Sequence, residues 1–177
     1  MDKVNDIGSE RAVLAGLIQH GIDGYISISD LVSHETFVNT NNQILYKCIK
    51  HCIDNDAKID ISTIISSAQQ LNVIDYINTD QELKYIKSLQ EFPIQKENIL
   101  KFAVQIKKFE FARKIQKLAD KIHHEVGEIN GSERVDEIIA ILENPVTDFL
   151  REDDGGENPE QIGEGVKEYI DFLSENK

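Results

Sequence analysis

Cys48 and Cys52 stand four residues apart with His51 between them, the kind of cluster from which metal chemistry starts. A structural zinc site needs four closing ligands, and His34 is the one further candidate nearby. At a spacing of four, both thiols share a helix face with Leu45 and Ile49, so the pair reads as reduced core cysteines. His123 and His124 are adjacent, and neighbours on a helix point different ways, which argues against a joint metal site or pH sensor. The 32 acidic residues could support hydrolysis only if two or three converged in a pocket. They lie mainly in turn and linker stretches, and no Glu-x-x-His pair occurs. Nor does the sequence contain Gly-x-x-x-x-Gly-Lys followed by Ser or Thr, the loop that cradles nucleotide phosphates. No catalytic residue, cofactor or metal ligand is therefore expected, and the chemistry should be that of contact surfaces.

The elements that would build such surfaces are helical. Three prolines and ten glycines among 177 residues favour long uninterrupted helices, and 40% hydrophobic content supports one core plus appendages. An all-α chain follows. No apolar run approaches the ~18–20 residues that span a bilayer, and no basic segment leads an apolar run at the N-terminus, so a cytoplasmic protein without membrane contact is expected.

Ser9 is placed to cap a first helix carrying Ala12, Val13 and Leu17, ended by Gly21 and Gly24. A second helix opens at Asn39 and buries Leu45, Cys48, Ile49, Cys52 and Ile53. Asp60 or Ser62 caps a third, a short helix falls near 75–78, and Leu83, Ile86 and Leu89 mark another before Phe92-Pro93. Then Ile99, Phe102, Ala103, Ile106, Phe109, Ala112, Ile115, Leu118, Ala119, Ile122 and Val126 hold a helical period for about seven turns. So long a stripe needs a partner helix. Residues 127–131 supply the reversal, Asn130 and Glu133 fit a capping box, and Val135, Ile138, Ile139, Ile141 and Leu142 give the return helix its apolar face. Pro145 should stop or kink that helix at Asn144. Beyond it, Ile162, Val166, Tyr169, Ile170 and Leu173 make a narrow stripe that suits a docking helix. The expected layout is a compact helical head over 1–95, a long antiparallel helical hairpin over 96–150, a flexible acidic linker over 151–160 and a docking helix over 161–177.

Charge is uneven along this layout. Residues 1–100 carry 8 basic and 14 acidic side chains, residues 101–124 carry 7 and 2, and residues 125–177 carry 4 and 16. A net charge of -13 argues against a surface that binds nucleic acid throughout. A basic helix beside an acidic one is more simply explained by pairing within or between chains.

Several segments in order resemble the N-terminal region of DnaB-type replicative helicases. Ser9-Glu10-Arg11-Ala12-Val13-Leu14-Ala15-Gly16-Leu17 looks like that family's opening helix, and Phe37 followed by Leu45-Tyr46 is similar to its next segment. Lys58-Ile59-Asp60-Ile61-Ser62-Thr63 resembles its Pro-Ile-Asp-Leu-x-Thr turn. Tyr85-Ile86-Lys87-Ser88-Leu89, Pro93, then Glu97-Asn98-Ile99 with Phe102-Ala103 continue the likeness, as do Arg113 and the closing Pro159-Glu160-Gln161-Ile162. Asn42-Gln43 in place of the usual His-Arg, Gly8 and Pro145 depart from it.

The resemblance implies the collar of a hexameric ring, assembled from dimers through head and hairpin, with primase or a helicase loader docking on it. Single-stranded DNA would belong to the full assembly, and ATP and Mg to a motor domain outside this chain. On that reading Phe102, Ile106, Phe109 and Ile115 are the oligomerisation residues. Tyr85, Arg113, Lys117 and His123 face partners, and Ile162, Val166, Tyr169, Ile170 and Leu173 dock the last helix. The alternative is a free-standing helical adaptor or helicase-loading protein.

Overall fold

The computed structural model describes residues 4–153, and all regular structure in them is helical. The order is α1 (Ile7–Ile26), a 3-10 turn (His34–Thr36), α2 (Thr40–Asp54), α3 (Ile61–Gln70), α4 (Ile74–Ile77), α5 (Asp80–Gln90), α6 (Lys96–Gly127) and α7 (Val135–Asp153). The chain divides into two compact units, one ending at Glu110 and the other starting at Phe111, so the division falls inside α6.

Capping explains most helix starts in the first unit. Asn39 accepts the amides of Asn41 and Asn42 to open α2, and Thr79 accepts that of Glu82 to open α5. Asp60 and Thr63 form a reciprocal capping box at α3, as the Ile-Asp-Ile-Ser-Thr sequence implies. α1 starts three residues before the expected place: its cap is Asp6, which takes both the amide and the hydroxyl of Ser9. Ser9 is inside the helix because a carboxylate three residues earlier satisfies it. Gly21 does break α1, with φ +56 and ψ -134, but helical turns resume and continue to Ile26. That left-handed value costs glycine little.

The stripes of α1, α2, α3 and α5, with Ile77 of α4, meet in one core of Val13, Leu14, Leu17, Leu45, Ile49, Ile64, Ile77, Ile86 and Leu89. Each fully buried large aliphatic contributes about 1.5–3 kcal/mol. α6 joins it through Ile99, Ala103 and Ile106. Ile99 enters where α1 has no side chain: a Cβ on Gly16 would lie 2.6 Å from its Cγ1, and one on Gly24 3.2 Å from its Cδ1.

In the second unit α7 does not end at Asn144. It runs through Pro145 to Asp153, so Arg151, Glu152 and Asp153 are helical where the composition suggests linker. Proline removes one intrahelical bond. Pro145 is itself buried, and the turn after it is held by the Phe149 ring, 5.4 Å from that of Phe111. The Asn130–Glu133 pair forms only in part. Glu133 accepts the amides of Asn130 and Gly131, but α7 begins after Arg134, whose amide is taken by Glu137.

Candidate interaction surfaces

A buried polar lattice ties α1, α2 and α5 together in the first unit. Glu10 is 1% exposed, and its carboxylate accepts the Val38 amide at 2.7 Å and the Asn42 amide group at 2.8 Å. Asn42 in turn accepts the Tyr85 hydroxyl at 3.0 Å. Burial pushes the Tyr85 phenol up to about 12, against the opposing pull of Arg11. The Arg11 guanidinium lies over the Phe92 and Tyr85 rings at 5.3 and 6.0 Å and donates to Ser88. Tyr85 is therefore a partly buried member of the head, and its hydroxyl is engaged within the chain.

A second buried carboxylate, Glu110, sits on α6. It accepts the Thr36 hydroxyl at 2.8 Å and pairs with Lys107 at 3.1 Å. Charged residues are rarely buried without partners. Both glutamates occupy apolar-stripe positions: Glu10 precedes Val13, Leu14 and Leu17, and Glu110 follows Ala103 and Ile106. An acid in register with a core stripe is the feature that would have exposed them in the sequence.

The residues expected to mediate self-association separate along α6. Ile106 is 2% exposed inside the head core, Phe102 packs against that core and Phe109 is half-buried. Ile115, in the second unit, is 45% exposed. Lys117 and His123 are exposed and Arg113 half-buried. Residues Ile162, Val166, Tyr169, Ile170 and Leu173 lie outside the described residues. The exposed apolar surface is richest on α7, where Val135, Ile138, Ile139 and Leu142 join Ile115 and Val126 of α6 as large hydrophobics open to solvent. The sequence marked these α7 residues as an apolar face, which the second unit covers only in part.

No group of three His, Cys, Asp or Glu that could hold a metal occurs among the described residues. Cys48 and Cys52 are buried and free. Burial, with Cys52 beside it, raises the Cys48 thiol to about 11. No helix among the described residues is long and apolar enough to cross a membrane.

Compared with known proteins, residues 2–108 match the family described as the DnaB-like helicase N-terminal domain. The chain belongs to that family. The matched stretch ends within two residues of the first unit's boundary at Glu110. The chain is also similar to the replicative DNA helicase DnaB of Buchnera aphidicola subsp. Baizongia pistaciae (strain Bp), 25% identical over 118 residues. That likeness covers 67% of this chain and 25% of the relative, so the chain spans about a quarter of that helicase. In fold it resembles the crystal structure of the N-terminal domain of DnaB helicase from Mycobacterium tuberculosis, with a TM-score of 0.68 and 14% identity. There the match covers 81% of this chain and 97% of the other. The all-helical DnaB N-terminal fold implied by the sequence motifs is the fold observed.

Proposed function

We propose that this DnaB-family chain is the assembly and partner-docking region of a hexameric replicative helicase, forming the collar of the ring during DNA replication. The observation that carries this reading is the exposed apolar surface of Ile115, Val126, Val135, Ile138, Ile139 and Leu142 in the second unit. Several large apolar residues left open on two helices of one unit suit a surface that another chain covers. A second copy is the first occupant, and a primase or helicase loader binds the assembled collar. Strand separation, ATP and Mg belong to a motor elsewhere in the helicase, because no phosphate-cradling Gly-Lys loop occurs in these residues.

Sedimentation velocity of the full chain tests the reading. Self-association should strengthen with concentration, and Ile139→Asp with Leu142→Asp should weaken it at least tenfold while the helical circular-dichroism spectrum persists. A strict monomer across the accessible concentration range would overturn the collar assignment. A dimer indifferent to those two substitutions would move the interface elsewhere.

A further inference from the structure

Asn130 is the one asparagine of the sequence that is followed by glycine, and the fold surrounds this pair with groups that act on its amides. Asn130, Gly131 and Ser132 are exposed in the reversal between α6 and α7. Gly131 takes φ +93, and a Cβ added there would meet nothing within 4 Å. No side chain of residue 131 shields its nitrogen from the Asn130 side chain or from water.

The hydrogen bonds of the turn are placed on the atoms that would react. The Gly131 amide donates to Glu133 Oε2 at 2.8 Å. The Asn130 amide donates to both oxygens of the same carboxylate, at 3.2 and 3.3 Å, which holds it in position. The Ser132 amide donates to Asn130 Oδ1 at 3.1 Å. A carboxylate therefore faces the nitrogen that would attack, and an N–H faces the oxygen that would gain charge. Backbone amides, its own first and then those of Asn130, Gly131 and Ser132, hold the Glu133 carboxyl below its ordinary 4.5. It is ionised at neutral pH and can accept a proton. Arg134, the cation next to it in sequence, is paired with Asp136.

We propose that Asn130–Gly131 is a self-modifying site, in which Glu133 takes the Gly131 amide proton and the Ser132 amide holds the charge developing on Asn130 Oδ1. The nitrogen lone pair closes on Asn130 Cγ, and the carbonyl pair moves to Oδ1. That pair then returns, the Cγ–Nδ2 bond breaks, and Nδ2 leaves as ammonia with the proton that Glu133 held. Water opens the resulting five-membered imide. Cleavage at Cγ gives an aspartyl residue, and cleavage at the main-chain carbonyl gives an isoaspartyl residue with one more carbon in the backbone. Either product adds a negative charge beside Glu133. The longer one also carries the Gly131 and Ser132 amides away from their acceptors, so the reversal loosens with age. None of this depends on the collar function.

Peptide mass spectrometry of the full chain, sampled over weeks at neutral pH, reads conversion as a gain of about 1 Da at residue 130. Asn130 should convert at least about tenfold faster than the exposed Asn55, and equal rates would overturn the site. Glu133→Gln keeps an acceptor in the turn and removes the base, so conversion should slow at least about threefold. Its rate should also rise more steeply with pH than that of wild type, toward about tenfold per unit, because hydroxide must then supply the base. A merely structural Glu133 predicts the opposite, since a looser turn reacts faster. Faster or unchanged conversion in Glu133→Gln would thus remove the carboxylate from the chemistry. In urea, where the turn is lost, the two chains should convert at the same rate. A difference that persisted there would assign the effect to local sequence and overturn the role of the fold.

Discussion

Leu45 in the first unit and Leu142 in the second sit on helices of similar apolar periodicity, yet one is 0% and the other 56% exposed. The first unit brings four helical stripes together, so each covers the others. Among the described residues the second has two helices, and two helices cannot bury more than one side of each. Periodicity identifies the residues that share a face, while the number of neighbouring helices decides whether the face is closed within the chain.

The sharpest way to break this contrast is to make the same truncation in both places. Leu45→Ala should cost about 2–5 kcal/mol in urea unfolding followed by circular dichroism, the usual penalty for a cavity in a packed core. Next in size, Gly16→Ala should cost about 2–3 kcal/mol, because its methyl group would lie 2.6 Å from Ile99 and overpack the α1–α6 contact. A melt no lower than wild type would show that Ile99 can move aside and that α6 is held less tightly than its burial suggests.

Acid should act on the first unit through its caps. The Ser9 hydroxyl and amide hold the Asp6 carboxyl below its ordinary 3.8, and the Thr63 amide does the same for Asp60. A lowered folded value means that this stabilisation is complete above the unfolded value and is lost as pH falls through the folded ones. Asp6→Asn should thus lower stability at pH 7 and narrow the difference between pH 7 and pH 3. Parallel pH curves for variant and wild type would remove Asp6 from the acid response. The smallest effect is reserved for Leu142→Ala, which should change stability by no more than about 0.5 kcal/mol at concentrations where the chain is monomeric. A loss comparable to that of Leu45→Ala would mean that α7 is covered after all.

Local chemistry made much of this fold readable from the sequence. Asn39 announces α2, and Asp60 or Ser62 announces α3, because such a residue just ahead of an apolar period has one strong use, accepting free amides; Asp60 is the one that does so. The same rule misplaced the start of α1, where Ser9 looked like the cap but is itself a donor to Asp6. On local cost alone Pro145 reads as a stop or a kink; the helix does not stop there, and burial of the ring with the Phe111–Phe149 contact outweighs one missing bond. The candidate surface was harder to read. The residues of the long α6 stripe look alike in the sequence, yet Ile106 closes the head and Ile115 faces water. No local pattern tells them apart, because the distinction comes from α1 and the elements packed on it. Tyr85 is expected to face partners, and its hydroxyl meets Asn42 across 43 residues of sequence, a contact that no local pattern announces.

That contact binds three positions into a single unit. Glu10 supplies only acceptors, Tyr85 supplies the donor, and Asn42 between them offers an amide to one and a carbonyl to the other. Replacing Asn42 by an apolar residue leaves a buried carboxylate and a partly buried phenol each short of a partner, so no single apolar change there is benign. The three side chains are therefore coupled energetically, and a change at 42 is felt at both 10 and 85.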